Sequence, residues 1–249
     1  MTRPARLGVF LAGGAGVAVM FVLAVLGMPH FGGTKHDYRD LAVHAAVLHR
    51  TANVVSSVNF DQRATDTFGE ETILITSVVA AAVLLRPAKG ETERRIPRTG
   101  RNLPGTVLLG YVLVPVAMIV GLDLVVHGHV TPGGGFQGGI VLATGLHLLY
   151  VTGSYPALDR LRPIAAFDVA DSLGAATFAA VGLAGVGFAG SFLTNIMPWG
   201  TFGQLFSGGT VPVLNVAVGL EVFGGMVVLL AKFLEQDITV ARRDEDGAS

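Results

Sequence analysis

An all-α, polytopic membrane protein is the fold class this sequence predicts, and three features predict it. Hydrophobic residues make up 51% of the 249 positions against 14% charged, mean hydropathy is +0.60, and the apolar residues gather in runs as long as a bilayer is thick. About six transmembrane helices can be drawn, with one further interfacial or short helix. Net charge is -1 and the pI is near 6.6, so no basic stripe is available for nucleic acid. There is no cysteine, which removes disulfides, thiolate metal sites and iron–sulfur ligation. Ions must be handled by carboxylates, histidines, lysines and backbone dipoles. The 34 glycines, in so apolar a chain, point to close helix packing.

The first run, Leu7 to Met28, follows Arg3 and Arg6 and is long enough to cross a hydrocarbon core of about 30 Å. It outlasts the apolar part of a secretory leader and no small-x-small cleavage site follows, so a retained helix with a cytoplasmic N-terminus is expected. Pro29 to Thr67 is the longest polar interval. Within it, Leu41 to Phe60 repeats apolar residues among His44, His49, Asn53 and Ser56 at helical spacing, which predicts a helix at the interface or tucked among the others. Phe68 to Leu85 is the second span, headed by Glu70 and Glu71, which are either dipole-stabilised surface charges or proton acceptors. Arg86 to Arg101 carries Lys89, Arg94, Arg95 and Arg98 with the helix-breaking Pro87 and Pro97. It reads as a basic linker and a seam between two modules.

Pro104 to Val126 is the third span, interrupted by Pro115 and bearing Asp123 near its far end. A glycine-rich hinge follows, from His127 to Gly139. Thr131 is expected to cap the fourth helix and Pro132 to open it, so that free backbone N–H groups point back towards Asp123, His127 and His129. The alternative is a tight turn with wet histidines. Gly133, Gly134 and Gly135 permit backbone angles that other residues resist, and Phe136 is placed to seal the turn. Gln137 and Gly138 lead on into Ile140 to Thr152. Gly135, Gly139 and Ala143 fall four apart on one face, where another backbone can approach, and His147 on that face reads more simply as a packed residue than as a relay member.

Ser154 to Pro163 is a short turn. Ile164 to Leu193 is the fifth span, with Asp168 and Asp171 in its first turns as ordinary partners of the helix dipole. Trp199 lies in the uncharged stretch Thr194 to Gly209 as an interfacial belt residue. Thr210 to Leu234 is the last span, with Asn215 and Glu221 inside it and Lys232 at its end, and Glu235 to Ser249 is left as a disordered charged tail. If both termini are cytoplasmic, only Lys35, Arg39, Arg50 and Arg63 of the 17 lysines and arginines fall outside. That asymmetry predicts six spans with the glycine hinge on the outer side.

Burying an unpaired charge in a bilayer costs several kcal/mol, so intramembrane ionisable groups face a partner or a wet path. Asp123 and His127, four apart, share a helix face and with His129 form a candidate external mouth for protons or sodium. Glu221 and Asn215 on the last span, with Asp66, Glu70 and Glu71 on the second, supply hard oxygen ligands of the kind alkali cations accept. The competing reading is that these groups pair with one another and pin helices. No nucleophile–base pair or metal-ligand motif is present, so a stand-alone enzyme is not expected.

The run GHVTPGGGFQGG at Gly128 to Gly139, continuing into IVLATGLHLLY, resembles the signature of the B subunit of multisubunit sodium/proton antiporters of the Mrp (Mnh) type. SGGTVPVLNVAVGLEV, Ser207 to Val222, resembles the end of that subunit, so the resemblance covers residues 104–234. Upstream, NVVSSVNFDQRATDTFGEE, Asn53 to Glu71, resembles the last part of the family's large A subunit, which also occurs as a small separate subunit in related membrane-bound hydrogenase complexes. Asn53, Val54, Val55, Asp61, Arg63, Asp66, Thr67, Gly69 and Glu70 match that pattern, while Ala64 and Thr65 stand where Gly and an aromatic are usual.

The resemblance divides the chain into an A-type module with two spans (1–86), a basic cytoplasmic linker (87–103), a B-type module with four spans (104–234) and a charged tail (235–249). It implies membership of a hetero-oligomeric cation/proton antiporter in the plasma membrane, with other subunits and lipid as partners. Sodium and protons would be the transported ions, and no cofactor is implied. It does not imply that this chain transports anything alone. The alternatives are a membrane subunit of a hydrogenase-type energy-converting respiratory complex, and a purely structural membrane scaffold.

Overall fold

The structure, a computed structural model, describes residues 3–28, 32–34, 36–86, 103–152, 155–161 and 163–246. Regular structure among them is entirely helical: α1 (Arg3–Leu26), α2 (Asp37–Leu48), α3 (Val54–Ser57), a π-helical turn (Val58–Gln62), α4 (Ala64–Leu84), α5 (Pro104–Val126), α6 (Gly135–Val151), α7 (Tyr155–Leu161), α8 (Ile164–Ala189) and α9 (Val211–Asp246). Five of these helices are long and apolar enough to span a bilayer, and α6 is a shorter apolar helix. The chain is an all-α, polytopic membrane protein.

Helix ends follow the local chemistry where that chemistry is decisive. α5 begins at Pro104, whose fixed φ suits the first turn, and keeps Pro115 in its interior. α8 stops at Gly190, which takes φ +77°. Three expectations need correction. The stretch 41–60 is not one helix: α2 ends at Leu48, Arg50 takes φ +57°, and the chain restarts as α3 under an Asn53 cap. The turn after span four contains a seven-residue helix, α7. The chain after Leu234 continues α9 to Asp246, because Glu, Gln, Ala and Arg propagate a helix already nucleated by a packed span. The basic linker after Arg86 lies outside the described residues.

Two compact units are present, Met1–Asp40 and Leu41–Ser249. The first contains α1, an apolar helix whose described side chains are exposed along its length, the pattern of a helix solvated by hydrocarbon. The second contains everything else, including helices from both sides of the basic linker. Its axis is α9, buried over 61% of its apolar window against 17–22% for α4, α5 and α8. α8, α6, α4 and α5 all pack on it. Around its first half lies a cluster with Phe60, Phe178, Leu214 and Val218, and around its second half one with Leu146, Leu149, Leu158 and Val227.

Small residues set these approaches. A Cβ on Gly135 would stand 2.5 Å from the Asn215 carbonyl oxygen and one on Gly139 2.8 Å from Val222 Cβ, so the face read from the sequence is the α6–α9 contact. The opposite face of α6 is as tight: a Cβ on Gly138 would meet Val125 and stand 2.7 Å from the Gly121 carbonyl oxygen of α5. Backbone cannot yield there as a flexible side chain can. Gly138→Ala is therefore expected to destabilise the folded chain by about 1–3 kcal/mol, read as a lower unfolding temperature in detergent. An unchanged unfolding temperature would contradict the assigned α5–α6 spacing.

Candidate ion-handling site

The hinge between α5 and α6 breaks the helical hydrogen-bond ladder, so its buried backbone groups need partners from elsewhere. Two asparagines supply them. Asn53 caps α3, its Oδ1 accepting from the N–H groups of Val55 and Ser56, while its Nδ2 donates to the carbonyls of Gly128 (2.7 Å), Thr131 (3.0 Å) and Gly133 (3.4 Å). Its own N–H donates to the His129 carbonyl at 3.0 Å. From the other side Asn215 of α9, fully buried, accepts from the Gly135 N–H at 3.0 Å and donates to Ser56 Oγ at 2.8 Å.

This corrects the expected start of the fourth helix. Thr131 and Pro132 remain in the turn, and α6 begins at Gly135 with Gly134, at φ +149°, as its cap. The missing capping side chain comes from α9 instead. The first N–H of α6 is therefore held by Asn215 and does not point towards Asp123, His127 and His129. Phe136 packs against the apolar cluster around α9. The Gln137 side chain lies beside Gly134, whose added Cβ would stand 2.8 Å from its Oε1.

The histidines of the hinge separate. His127 Nδ1 lies 2.8 Å from Asp123 Oδ1, with both side chains substantially exposed, so the four-residue spacing does yield a pair, on the outer face of α5. His129 turns inward. It is fully buried and its Nε2 lies 2.8 Å from the Leu205 carbonyl oxygen, which stitches the hinge to the loop before α9. Burial holds the His129 imidazole below its ordinary value of 6.5, against the opposing pull of the Leu205 and Gln204 carbonyls.

The carboxylates divide in the same way. Asp66 is exposed and forms an ion pair with Arg63, and Glu70 is exposed. Glu71, one residue on, is turned inward and only 2% exposed, and Glu221 of α9 is fully buried. These two carboxyl groups face each other within hydrogen-bonding reach, and Asp171 of α8, 5% exposed, stands beside them. Close helix contact makes the meeting possible: a Cβ on Gly174 would lie 2.7 Å from Glu221 Cβ, and one on Gly225 would lie 3.2 Å from Asp171 Oδ1. Among the described residues, no donor other than a proton shared within the cluster itself reaches either oxygen of Glu71, either oxygen of Glu221, or Asp171 Oδ1. Among the described residues no group of His, Asp and Glu has metal-cage geometry. Two facing carboxylates out of water cannot both remain charged without a positive ion between them.

Asp171 corrects an expectation: read as a dipole partner near the head of its helix, it lies eight residues into α8, beyond the first turn, and is buried. Reading from sequence also missed a second pairing. His49 Nδ1 approaches Asp61 Oδ2 at 2.5 Å, and the His49 ring stacks on Trp199, centroids 4.2 Å apart. Trp199, expected as a belt residue, is a packing partner within the chain.

Residues 106–228 match the family described as a domain related to the MnhB subunit of Na+/H+ antiporter. That stretch is an MnhB-related domain. It supplies Asp171 and Glu221, whereas Glu71 comes from the segment before it. The chain is also similar to the uncharacterized protein MJ1307 of Methanocaldococcus jannaschii, 28% identical over 195 residues, covering 70% of this chain and 74% of that protein. A chain of the membrane-bound sulfane sulfur reductase, an archaeal respiratory membrane complex, superposes with a TM-score of 0.71 at 27% identity, covering 92% of this chain and 98% of that one. A chain of the Mrp complex from Dietzia sp. DQ12-45-1b superposes with a TM-score of 0.66 at 25% identity, covering 93% of this chain and 26% of that one.

Two measurements follow from this geometry. Asn53→Ala, which strands hinge carbonyls ahead of the MnhB-related helices, is expected to cost about 1–3 kcal/mol of stability, read by thermal unfolding in detergent. The His129 contribution to stability is complete above pH 6.5 and declines as the pH falls below it, because the unfolded chain then binds a proton that the folded chain resists. Acidification from about pH 7.5 to about 5.5 should therefore lower the unfolding temperature of the natural chain more than that of His129→Gln. Equal shifts would show that His129 is not held neutral.

Proposed function

We propose that this chain is a membrane subunit of a multisubunit cation/proton antiporter, and that Glu71, Glu221 and Asp171 form the point within it where a transported ion rests. The observation that carries the proposal is the convergence of three carboxylates, each nine-tenths or more buried, from three helices, with oxygens that, among the described residues, no donor from outside the cluster reaches. A structural ion pair would set a lysine or arginine against these oxygens. Among the described residues none stands there, so on this reading a mobile species, a proton or sodium, supplies the compensating charge, in line with the MnhB relationship and the Mrp superposition. The exposed Asp123–His127 pair, Glu70, and the Arg63-paired Asp66 belong on this reading to surfaces that meet neighbouring subunits or headgroup water.

Finer points of the proposal rest on the sequence. Lysine and arginine placement puts both termini in the cytoplasm and the hinge outside, in a plasma membrane. Residues 1–86 act as an A-type module joined to the B-type module. The alignment of nearly the whole chain within one longer chain of the Mrp complex supports that arrangement. A second reading, membership of a respiratory membrane complex, draws on the similarity in length and fold to a chain of the sulfane sulfur reductase. Subunits that co-purify with the native chain separate the two readings.

Sodium-driven pH change in vesicles carrying the assembled complex tests the central point. Glu71→Gln and Glu221→Gln should each lower exchange by about tenfold or more, while the amount of assembled complex stays level or rises, since an amide is cheaper to bury than a carboxylate. Full exchange in both variants would remove the site from the path. Loss of assembly in both, relieved by no other substitution at the site, would assign it a purely structural role.

A further inference from the structure

We infer that the cavity walled by His49, Asp61 and Trp199 is a proton intake serving the Glu71–Glu221 pair, separated from that pair by a plug of phenylalanines. The inference rests on the function proposed above and adds the route by which protons reach the buried carboxylates.

The cavity holds about 300 Å³ and is lined by the end of α2, the π-helical turn, the start of α4 and the loop after α8. That is ample for several waters. Its polar wall is the His49–Asp61 pair. Both groups line the cavity, the Asp61 side chain only 6% exposed and that of His49 38%, so the imidazole is the more water-accessible member of the pair. An imidazole in that position can accept a proton from water on one ring nitrogen and release one from the other to Asp61 Oδ2, with no net change in the ring once it resets. Trp199, stacked at 4.2 Å with 17° between planes, fixes the orientation this requires. The π-helical turn widens the backbone at Val58–Gln62, and Asp61 faces His49 within it while the Gln62 amide binds the Ala42 carbonyl and Ser57 Oγ. Arg63, also at the cavity, is paired with Asp66.

From this cavity one helix stripe leads to the carboxylates. Ala64 lines the cavity, and Ala64, Thr67 and Glu71 are the buried residues of the first two turns of α4. Two turns carry the chain about 10 Å deeper. A chain of aromatic rings runs from the cavity into the apolar cluster that also holds Ala64 and Val222, the neighbour of Glu221. Phe192 lines the cavity and meets Phe68 edge-on at 5.3 Å, Phe68 stacks on Phe178 at 5.8 Å, and Phe60 lies 6.4 Å from Phe178. A dry constriction between a wet dyad and a dry charge site passes ions only when it opens to water, which is how apolar gates work in channels. A structural His–Asp clasp would account for the pairing, but not for its place on a water-sized cavity at the head of the stripe that ends on Glu71.

The test uses vesicles carrying the assembled complex and exploits the absence of cysteine from this chain. Thr194→Cys places a thiol on the cavity wall, and a charged, membrane-impermeant methanethiosulfonate should label it and lower sodium/proton exchange by about tenfold, while the cysteine-free chain is unaffected by the reagent. His49→Ala should slow exchange by a similar factor, and millimolar imidazole, free to occupy the vacated space against Trp199 and Asp61, should restore most of it. The inference is overturned if the thiol introduced by Thr194→Cys is labelled without loss of exchange, if it refuses the reagent, if His49→Ala exchanges at the full rate, or if imidazole fails to restore a slowed variant. Should these arms leave exchange intact while Glu71→Gln abolishes it, the carboxylate site stands and protons arrive by another route. If Glu71→Gln is also without effect, the function proposed above falls with it.

Discussion

The structure depends on satisfying an unwound backbone segment packed against the bundle. A helix pairs every N–H and C=O within itself, and the hinge between α5 and α6 interrupts that ladder over residues 127–134, keeping only turn hydrogen bonds such as Thr131 N–H to the His127 carbonyl. Asn53 and Asn215 supply partners for the hinge, one from the cap of a short helix before α4 and the other from the second turn of α9. Each is held in turn, Asn53 by the α3 cap it makes and Asn215 by Ser56 and the Val211 carbonyl. The hinge is consequently the place where three distant segments are brought into register, and that register aligns α4 with α8 and α9.

Once α4 is registered against α9, the positions of the carboxylates follow. Glu71 sits two turns below the start of α4 and Glu221 within the first half of α9, and the glycines at 174, 224 and 225 let α8 approach closely enough for Asp171 to join them. A bulkier residue at any of these positions would push the helices apart and disperse the cluster. Keeping three carboxylates dry costs stability, since apolar residues of similar volume would fold the bundle more easily. Glu71 lies before the MnhB-related domain and its two companions inside it, so the site exists only when both parts of the chain are docked.

The spans were legible because composition and length dictate them. Pro104–Val126 is recovered to the residue, and Ile164 and the 210–211 boundary agree closely, since a proline or a glycine turn marks each limit. The small-residue face of α6 was legible from spacing alone, for glycines four apart admit another backbone whatever lies opposite. The start of α6 was not. Thr131 and Pro132 carry a strong local capping signal, and it lost to a side-chain cap from Asn215, eighty residues away. The segment after Leu234 was misjudged for a related reason: its composition forbids a core, but a helix propagates from a packed one without needing a core of its own.

Among the ionisable groups, sequence determined which residues are present in the membrane and the local pairing of Asp123 with His127, because a spacing of four fixes a shared face. It could not separate Glu70 from Glu71, whose side chains point about a quarter-turn apart and whose fates, exposed and buried, depend on where α9 lies. Nor could it join His49 to Asp61 across an irregular turn, or lift Asp171 out of its plain helix-dipole role. Sequence by itself therefore established lipid as the solvent, the lengths of the spans and the inventory of charge. Tertiary structure alone decided which charges meet, because in an apolar bundle the rotation and depth of each helix are set by contacts between segments, and no periodicity within one segment records them.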